Sequence, residues 1–294
     1  MVKIKKTAPG FGPKSVYRSF GGADSLERIG AGFMDKTGRK EDFVNSSSHS
    51  YSIVYVIEGE GEYIDRSGNR FALGPGSFFQ RFPDVPHSNN ISTGKPWREC
   101  FIDFGKELFN AFSLARIIRT EYVVGEIGLD PELVESIKEL VLRLENAGED
   151  DLPASVCFAA ELTLGIFRRY IGESAGKKES LIVEKACRIL GEELDKRISM
   201  EEFCAEQHWG YENFRKIFTK QMGISPGRYR VRRRIDAACQ MLTDSDMNIN
   251  EIASGLGYLS PYEFSSQFKK FTGVAPKNFR AKKVILGKTR KASF

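Results

Sequence analysis

The chain has 294 residues, 41 % of them apolar and 28 % charged, a size and composition that favour two globular domains and argue against disorder. Its net charge of +5 is concentrated after residue 180, where 21 Lys and Arg face 13 Asp and Glu for a balance of +8, against −3 for everything before. No apolar run reaches the roughly 18 residues needed to cross a bilayer, and the lysines near the start precede no apolar stretch, so neither a spanning helix nor a leader is expected and the protein is placed in the cytoplasm.

Short β-strand patterns follow one another over residues 51–57, 62–65, 70–73, 77–82 and 98–104. They are separated by Gly59-Glu60-Gly61, Ser67-Gly68-Asn69, Gly74-Pro75-Gly76 and the stretch 83–86. This rhythm predicts a small antiparallel barrel or sandwich. After Gly105 the apolar spacing becomes helical, through Leu108, Phe109 and Phe112, then Leu133, Ile137, Leu140, Val141 and Leu144, with Asp130 as N-cap and Pro131 in the first turn. A second long helix over 153–171 carries Val156, Ala160, Leu164 and Phe167 on one stripe. Joined at 146–151, the two form a helical hairpin whose apolar stripe either packs on the β domain or pairs with a second subunit. The small, polar segment 172–180 (GESAGKKES) reads as an interdomain linker.

A repeat of about fifty residues dominates the basic half. Its skeleton, F-x3-F-x-K-x2-G-[IV]-x-P-x2-[YF]-R, runs from Phe214 to Arg230 and again from Phe264 to Arg280. Phenylalanines four apart share one helix face, Gly223 and Gly273 stop the helix, and Pro226 and Pro276 restart the chain. A shorter helix, over 199–206 and 250–254, precedes each copy across a tight turn, which is the helix-turn-helix arrangement. The outward faces then carry Tyr211, Glu212, Arg215, Lys216, Thr219 and Lys220 in the first copy, and Pro261, Tyr262, Ser265, Ser266, Lys269 and Lys270 in the second. These residue types address base edges or phosphates. A linking helix over 228–242 adds Arg230, Arg232, Arg233 and Arg234, either as a solvated cluster or as a phosphate clamp.

Residues 181–280 resemble the AraC/XylS family, whose DNA module is two helix-turn-helix units joined by a long helix. ISMEEF at 198–203 and INEIASGLGY at 249–258 carry the likeness. Gly210 departs from it, standing where the family has a Ser N-cap. The N-terminal half is similar to the family's cupin-type sensor through YSIVYVIEGEG at 51–61 and LGPGSFFQRFPDVPH at 73–87. The resemblance implies an α+β multidomain protein: a cupin-like antiparallel β-barrel over 1–110, a helical hairpin over 111–172 as a candidate dimerisation element, a linker over 173–180, an all-α DNA-binding domain over 181–280 and a basic tail over 281–294. It also implies an effector pocket near Glu58, His87, Asn89 and Phe101, with Tyr55 and Trp97 as aromatic walls. The partners implied are a double-stranded DNA operator, a small-molecule effector such as a sugar, RNA polymerase and a second copy of the chain, with no membrane. The expected role is a sequence-specific regulator, an activator, needing no cofactor.

The competing reading is a cupin sugar-binding or enzyme domain with an accessory DNA-binding module. Metal-dependent cupins need converging imidazoles or carboxylates, whereas this chain has three histidines, His49, His87 and His208, and no H-x-H pair. Cys100, Cys157, Cys187, Cys204 and Cys239 are scattered without a CxxC pair, which predicts reduced thiols. No metal site, phosphate-binding loop or nucleophile elbow is expected, and the protein is read as a regulator rather than an enzyme.

Overall fold

Residues 12–21, 25, 27–39, 43–92, 94–173 and 177–280 are described by the computed structural model, in two units spanning 1–174 and 175–294. The basic tail 281–294 and the linker residues 174–176 lie outside the described residues.

Strand β4 (Tyr51–Glu58) is a near-continuous apolar run buried over its first six residues, the pattern of a strand covered on both faces. Alternate side chains go opposite ways: Tyr51, Ile53 and Tyr55 join one core cluster, Val54 and Val56 another. β7 (Ser77–Arg81) divides Phe78 from Phe79 in the same manner, and β9 (Arg98–Phe104) divides Cys100, Ile102 and Phe104 from Phe101. With β1 (Lys14–Ser19), β2 (Arg28–Asp35) and β10 (Val124–Glu126) they form a six-stranded antiparallel sheet, ordered β1-β2-β9-β4-β7-β10.

A second sheet contains β3 (Phe43–Ser46), β5 (Gly61–Ile64), β6 (Arg70–Leu73) and β8 (His87–Ile91), ordered β3-β8-β5-β6. Its Tyr63, Leu73 and Ile91 pack on Val54, Phe79 and Phe101 of the larger sheet. The larger sheet's other face is covered by α1 (Lys106–Leu114), α2 (Pro131–Asn146) and α3 (Leu152–Glu173). The buried stripe of α2, Leu133 to Leu144, is thus occupied inside its own unit; on α3, Ala160 and Phe167 are buried whereas Val156 and Leu164 are only half-buried. Asp130 caps α2 by accepting from the Glu132 and Leu133 amides, as expected.

The expected cupin-like closed barrel is not formed. Each sheet is open, ending at β1 and β10 in one and at β3 and β6 in the other, and the described strands pair only within their own sheet. Turn rhythm reports short antiparallel strands, but closure depends on which edges meet, and here the faces pack while the edges do not. The N-terminal strands β1 and β2 were not anticipated. They depend on a tertiary fit: Tyr17 pairs with Gly30, and a Cβ at position 30 would fall 2.3 Å from the Tyr17 ring, so the aromatic lies over space that only glycine leaves.

The second unit contains α4 (Lys177–Gly191), which takes in part of the expected linker, α5 (Met200–Glu206), α6 (Tyr211–Met222), α7 (Pro226–Asp244), α8 (Ile249–Gly255) and α9 (Pro261–Thr272). The repeat is reproduced as two small cores. One gathers Val183, Leu190, Phe203, Phe214 and Phe218; the other Ile235, Leu242, Ile252, Phe264 and Phe268. Phe214 and Phe218 are tilted at 5.5 Å and 59°, Phe264 and Phe268 at 5.6 Å and 58°. Gly223 and Gly273 end α6 and α9 in the left-handed conformation, at φ 71° and 80°.

No described helix is long and apolar enough to cross a membrane. All five cysteines are free thiols.

Candidate functional site

On α6, the spacing that buries Phe214, Ile217 and Phe218 turns Glu212, Arg215, Lys216, Thr219 and Lys220 outward, and all five are exposed. Tyr211 is half-buried against the local core. Arg215 sits 4.0 Å from Glu212, one turn before it, a contact too weak and exposed to hold it. On α9, Tyr262, Ser266, Lys269 and Lys270 are exposed and Ser265 is half-buried. Two further exposed residues went unrecognised in the sequence, Asn213 on α6 and Leu259 just before α9. Their only signal is position, within the first turn of α6 and in the turn preceding α9.

Of the five arginines of α7, the four expected to form one cluster divide into two pairs. Arg232 and Arg233 are exposed. Arg230 is 4 % exposed and donates to four backbone oxygens, of Leu190, Glu192, Glu193 and Lys196, at 2.6 to 3.2 Å. Arg234 donates to Leu194 and Lys196 oxygens at 2.8 and 2.9 Å and lies 5.5 Å from the Tyr258 ring. These two therefore fasten the α4–α5 connection rather than face outward with Arg232 and Arg233. The repeat explains the choice: Arg280, last residue of the second skeleton, donates to the Met247 oxygen ahead of α8 at 2.6 Å, as Arg230 does ahead of α5. The arginine that ends both copies of the skeleton is a backbone clamp.

In the first unit, a cavity of about 210 Å³ opens between the sheets. His87 and Phe101 line it, two of the six residues expected in a pocket. Asn89 lies on the same inward face of β8, 1 % exposed, its amide nitrogen and oxygen without a hydrogen-bond partner among the described residues. The other three lie elsewhere. Tyr55 faces the helices, donating to Gly128 oxygen at 2.6 Å and accepting from the Asp130 amide at 2.8 Å. Trp97 is buried against Gly59 and Gly61 and donates to Glu99 at 2.6 Å. Glu58 is half-exposed, 3.5 Å from Arg98. Strand parity accounts for Tyr55, because only every second residue of a doubly buried strand faces this space; Trp97 belongs to the core between the sheets without lining the cavity.

The cavity wall also includes Tyr17, Arg28, Ser52, Arg81 and Asp103, none anticipated. Ser52 and Asp103 did carry a signal, as polar residues at inward parity in apolar strands. Asp103 is 6 % exposed and accepts from the Ser52 hydroxyl. Burial lifts its pKa to about 6, against the opposing pull of Ser52, Arg81, Arg28 and Tyr17. Burial and the Asp103 carboxylate push Tyr17 up to about 12. Arg28 donates to the Ser50 hydroxyl at 2.9 Å and lies 5.3 Å from the Tyr17 ring, which itself stacks with Phe101 at 6.1 Å and 28°.

Residues 203–282 match the family described as a helix-turn-helix domain, and residues 36–159 match the AraC-like ligand binding domain. The chain is an AraC/XylS-family transcriptional regulator. Relatives of this regulator include the lactose operon transcription activator of Staphylococcus xylosus, 22 % identical over 78 % of this chain and 83 % of that one. RafR, the raffinose operon transcriptional regulatory protein of Pediococcus pentosaceus, is 22 % identical over 80 % and 86 %. The probable transcriptional regulator LumQ of Photobacterium leiognathi is 26 % identical over 52 % of this chain and 61 % of its own length. Among solved structures, ToxT of Vibrio cholerae with a bound unsaturated fatty acid aligns with 87 % of this chain and 95 % of its own, at 14 % identity and a TM-score of 0.33. The family is one of DNA-binding regulators rather than enzymes, and the regulator's described residues hold no group of three His, Cys, Asp or Glu side chains placed to share a metal.

Proposed function

We propose that this regulator reads a DNA operator with α6 and α9 and activates transcription in response to a small hydroxylated effector held between the sheets of its first unit. The observation that carries the reading is the duplicated unit, in which two helices with matching buried phenylalanine pairs each turn a basic, polar face to solvent. Arg215 is the bidentate base reader, with Glu212, Thr219, Ser265 and Ser266 as further base contacts. Lys216, Lys220, Lys269, Lys270, Arg232 and Arg233 are phosphate contacts, and Tyr211 and Tyr262 flank them. The two helices enter successive major grooves on one face of the duplex, roughly 34 Å apart.

Effector binding shifts the balance between arrangements of a homodimer that differ in promoter occupancy and in contact with RNA polymerase, which requires unequal affinity for the two. Two relatives are named for sugar operons, lactose and raffinose, which supports a sugar or a sugar derivative as effector. Operator selection from random duplexes, followed by gel shifts of the full chain across a salt series, tests the DNA reading. A duplex with two half-sites one turn apart and an affinity falling steeply with salt is expected; no selected sequence, or a salt-independent affinity, overturns it.

A further inference from the structure

The two helix-turn-helix units differ at their turns, and we infer that Leu259 and Tyr262 read thymine C5-methyl groups in the major groove. The half-site under α9 is then recognised through its methyls, and the half-site under α6 through hydrogen bonds and charge. This rests on the reading of α9 as a DNA-contacting helix and assigns the base chemistry that it selects.

Trp209 and Tyr258 are equivalent residues. The amide of each closes onto the preceding short helix, donating to the Cys204 oxygen at 2.8 Å and the Ala253 oxygen at 3.0 Å. The ring of each packs on the first phenylalanine of the following helix, Phe214 or Phe264, with centroids 5.3 Å apart in both units. Trp209 lies five residues before Phe214, whereas Tyr258 lies six before Phe264. The second turn is therefore one residue longer, and the residue it adds is Leu259, which has no counterpart in the first core and is 76 % exposed. Its backbone is nonetheless fixed: the Leu259 amide donates to Glu263 Oε2 at 3.0 Å, and the Glu263 amide donates to Ser260 Oγ at 3.1 Å. Two bonds thus tie this segment to the first turn of α9 while its side chain stays in solvent.

Tyr262, 83 % exposed, is the second residue of α9 and follows Pro261, which is exposed as well. The N-terminal residues of the second helix are those that meet base edges in this arrangement. At the corresponding positions α6 offers Glu212, Arg215 and Lys216, and α9 offers Tyr262, Ser265 and Ser266. In the major groove, the base-edge group that favours an apolar side chain is the thymine methyl. A protein partner suits this end of α9 poorly, because three apolar side chains fall far short of the roughly 800 Å² that each side of a stable interface buries. The charge of the helix also points to a polyanion. Lys269 and Lys270 are exposed, and the one carboxylate of α9, on Glu263, is engaged by the Leu259 amide and lies 3.6 Å from Arg197.

The test replaces the thymines of the selected operator one at a time by deoxyuridine, which removes the methyl and leaves every hydrogen-bonding group in place, and measures gel-shift affinity of the full chain. One or two thymines, all in the same half-site, should each lose about fourfold on replacement, the worth of one buried methyl group. Leu259→Ser and Tyr262→Ser should each bring the thymine-to-deoxyuridine ratio to one at such a position, with the thermal midpoint unchanged. Insensitivity at every thymine, a selected operator with no thymine in either half-site, or a sensitivity that both variants retain overturns the inference. The operator reading survives those outcomes, since a duplex is still bound; a chain that selects no duplex ends both. The scan of the parent chain decides the matter even if a variant fails to fold.

Discussion

Gly257 lies so close to the Asp195 carbonyl that a Cβ at position 257 would come within 2.1 Å of its oxygen. The backbone there is left-handed, φ 69°, but that alone does not demand glycine: the equivalent turn position of the first unit carries His208 at φ 57°. What excludes a side chain is the α4–α5 connection pressed onto the second turn. The same connection receives Arg230 and Arg234, and its Arg197 lies 3.6 Å from Glu263 of α9. The two helix-turn-helix units are thus joined by α7 and also by a direct contact between the α4–α5 connection and the second unit.

Gly257→Ala should therefore loosen this joint, costing about 1–3 kcal/mol through overpacking. Urea unfolding followed by Trp209 fluorescence gives the stability change, and footprinting should show one half-site protected more weakly than the other. Equal weakening of both half-sites would mean that the contact does not set geometry.

Arg230→Lys should behave as a severe substitution even though it retains the charge. An ammonium cannot reproduce a fork that reaches four carbonyls, and leaving buried acceptors without donors costs about 1–3 kcal/mol each. A loss on the order of 3 kcal/mol in urea unfolding is expected, against less than 0.5 kcal/mol for the exposed Arg232→Lys.

Gly210→Ser should stabilise α6. Gly210 is the N-cap without a side-chain bond, its φ of −71° and ψ of 120° suit serine, and a Cβ there meets nothing within 4 Å. The gain is a few tenths of a kcal/mol, read as a higher urea midpoint at unchanged slope.

Asp103 gives a pH dependence whose sign runs opposite to that of a paired surface carboxylate. Its folded pKa of about 6 lies above the ordinary 3.8, so the folded state binds more protons, and stability is lost as pH rises from about 4 through 6. Asp103→Asn removes that dependence, so the stability difference between variant and parent should move in the variant's favour across this window, by on the order of 3 kcal/mol. Urea melts at pH 4, 5, 6 and 7 measure it; a constant difference would show that Asp103 titrates alike in both states.

Arg215→Ala should cost about 1–3 kcal/mol of operator affinity and relax the preference at one base pair. Lys216→Ala should instead weaken all sequences alike and reduce the salt slope by about one. Gel shifts against single-base operator variants separate the two outcomes.

The repeat, the helices that carry it and the strands between residues 51 and 104 other than β8 could be read from the chain itself, because each rests on local periodicity: phenylalanines at i and i+4, a glycine stop, short apolar runs between turns. Arg230 and Arg234, four residues apart, share one face of α7, with Arg232 and Arg233 around from it. Only the folded structure decides that the first pair faces protein, because that depends on a connection some forty residues away. The same holds for the cavity. In strands buried on both sides, such as β4 and β9, composition does not reveal which parity faces the other sheet, so Tyr55 reads as well as Ser52 until the helices are in place. The open sheet edges, and the pairing of Tyr17 with Gly30, belong to that level too: they are contacts between distant segments, which no local pattern encodes.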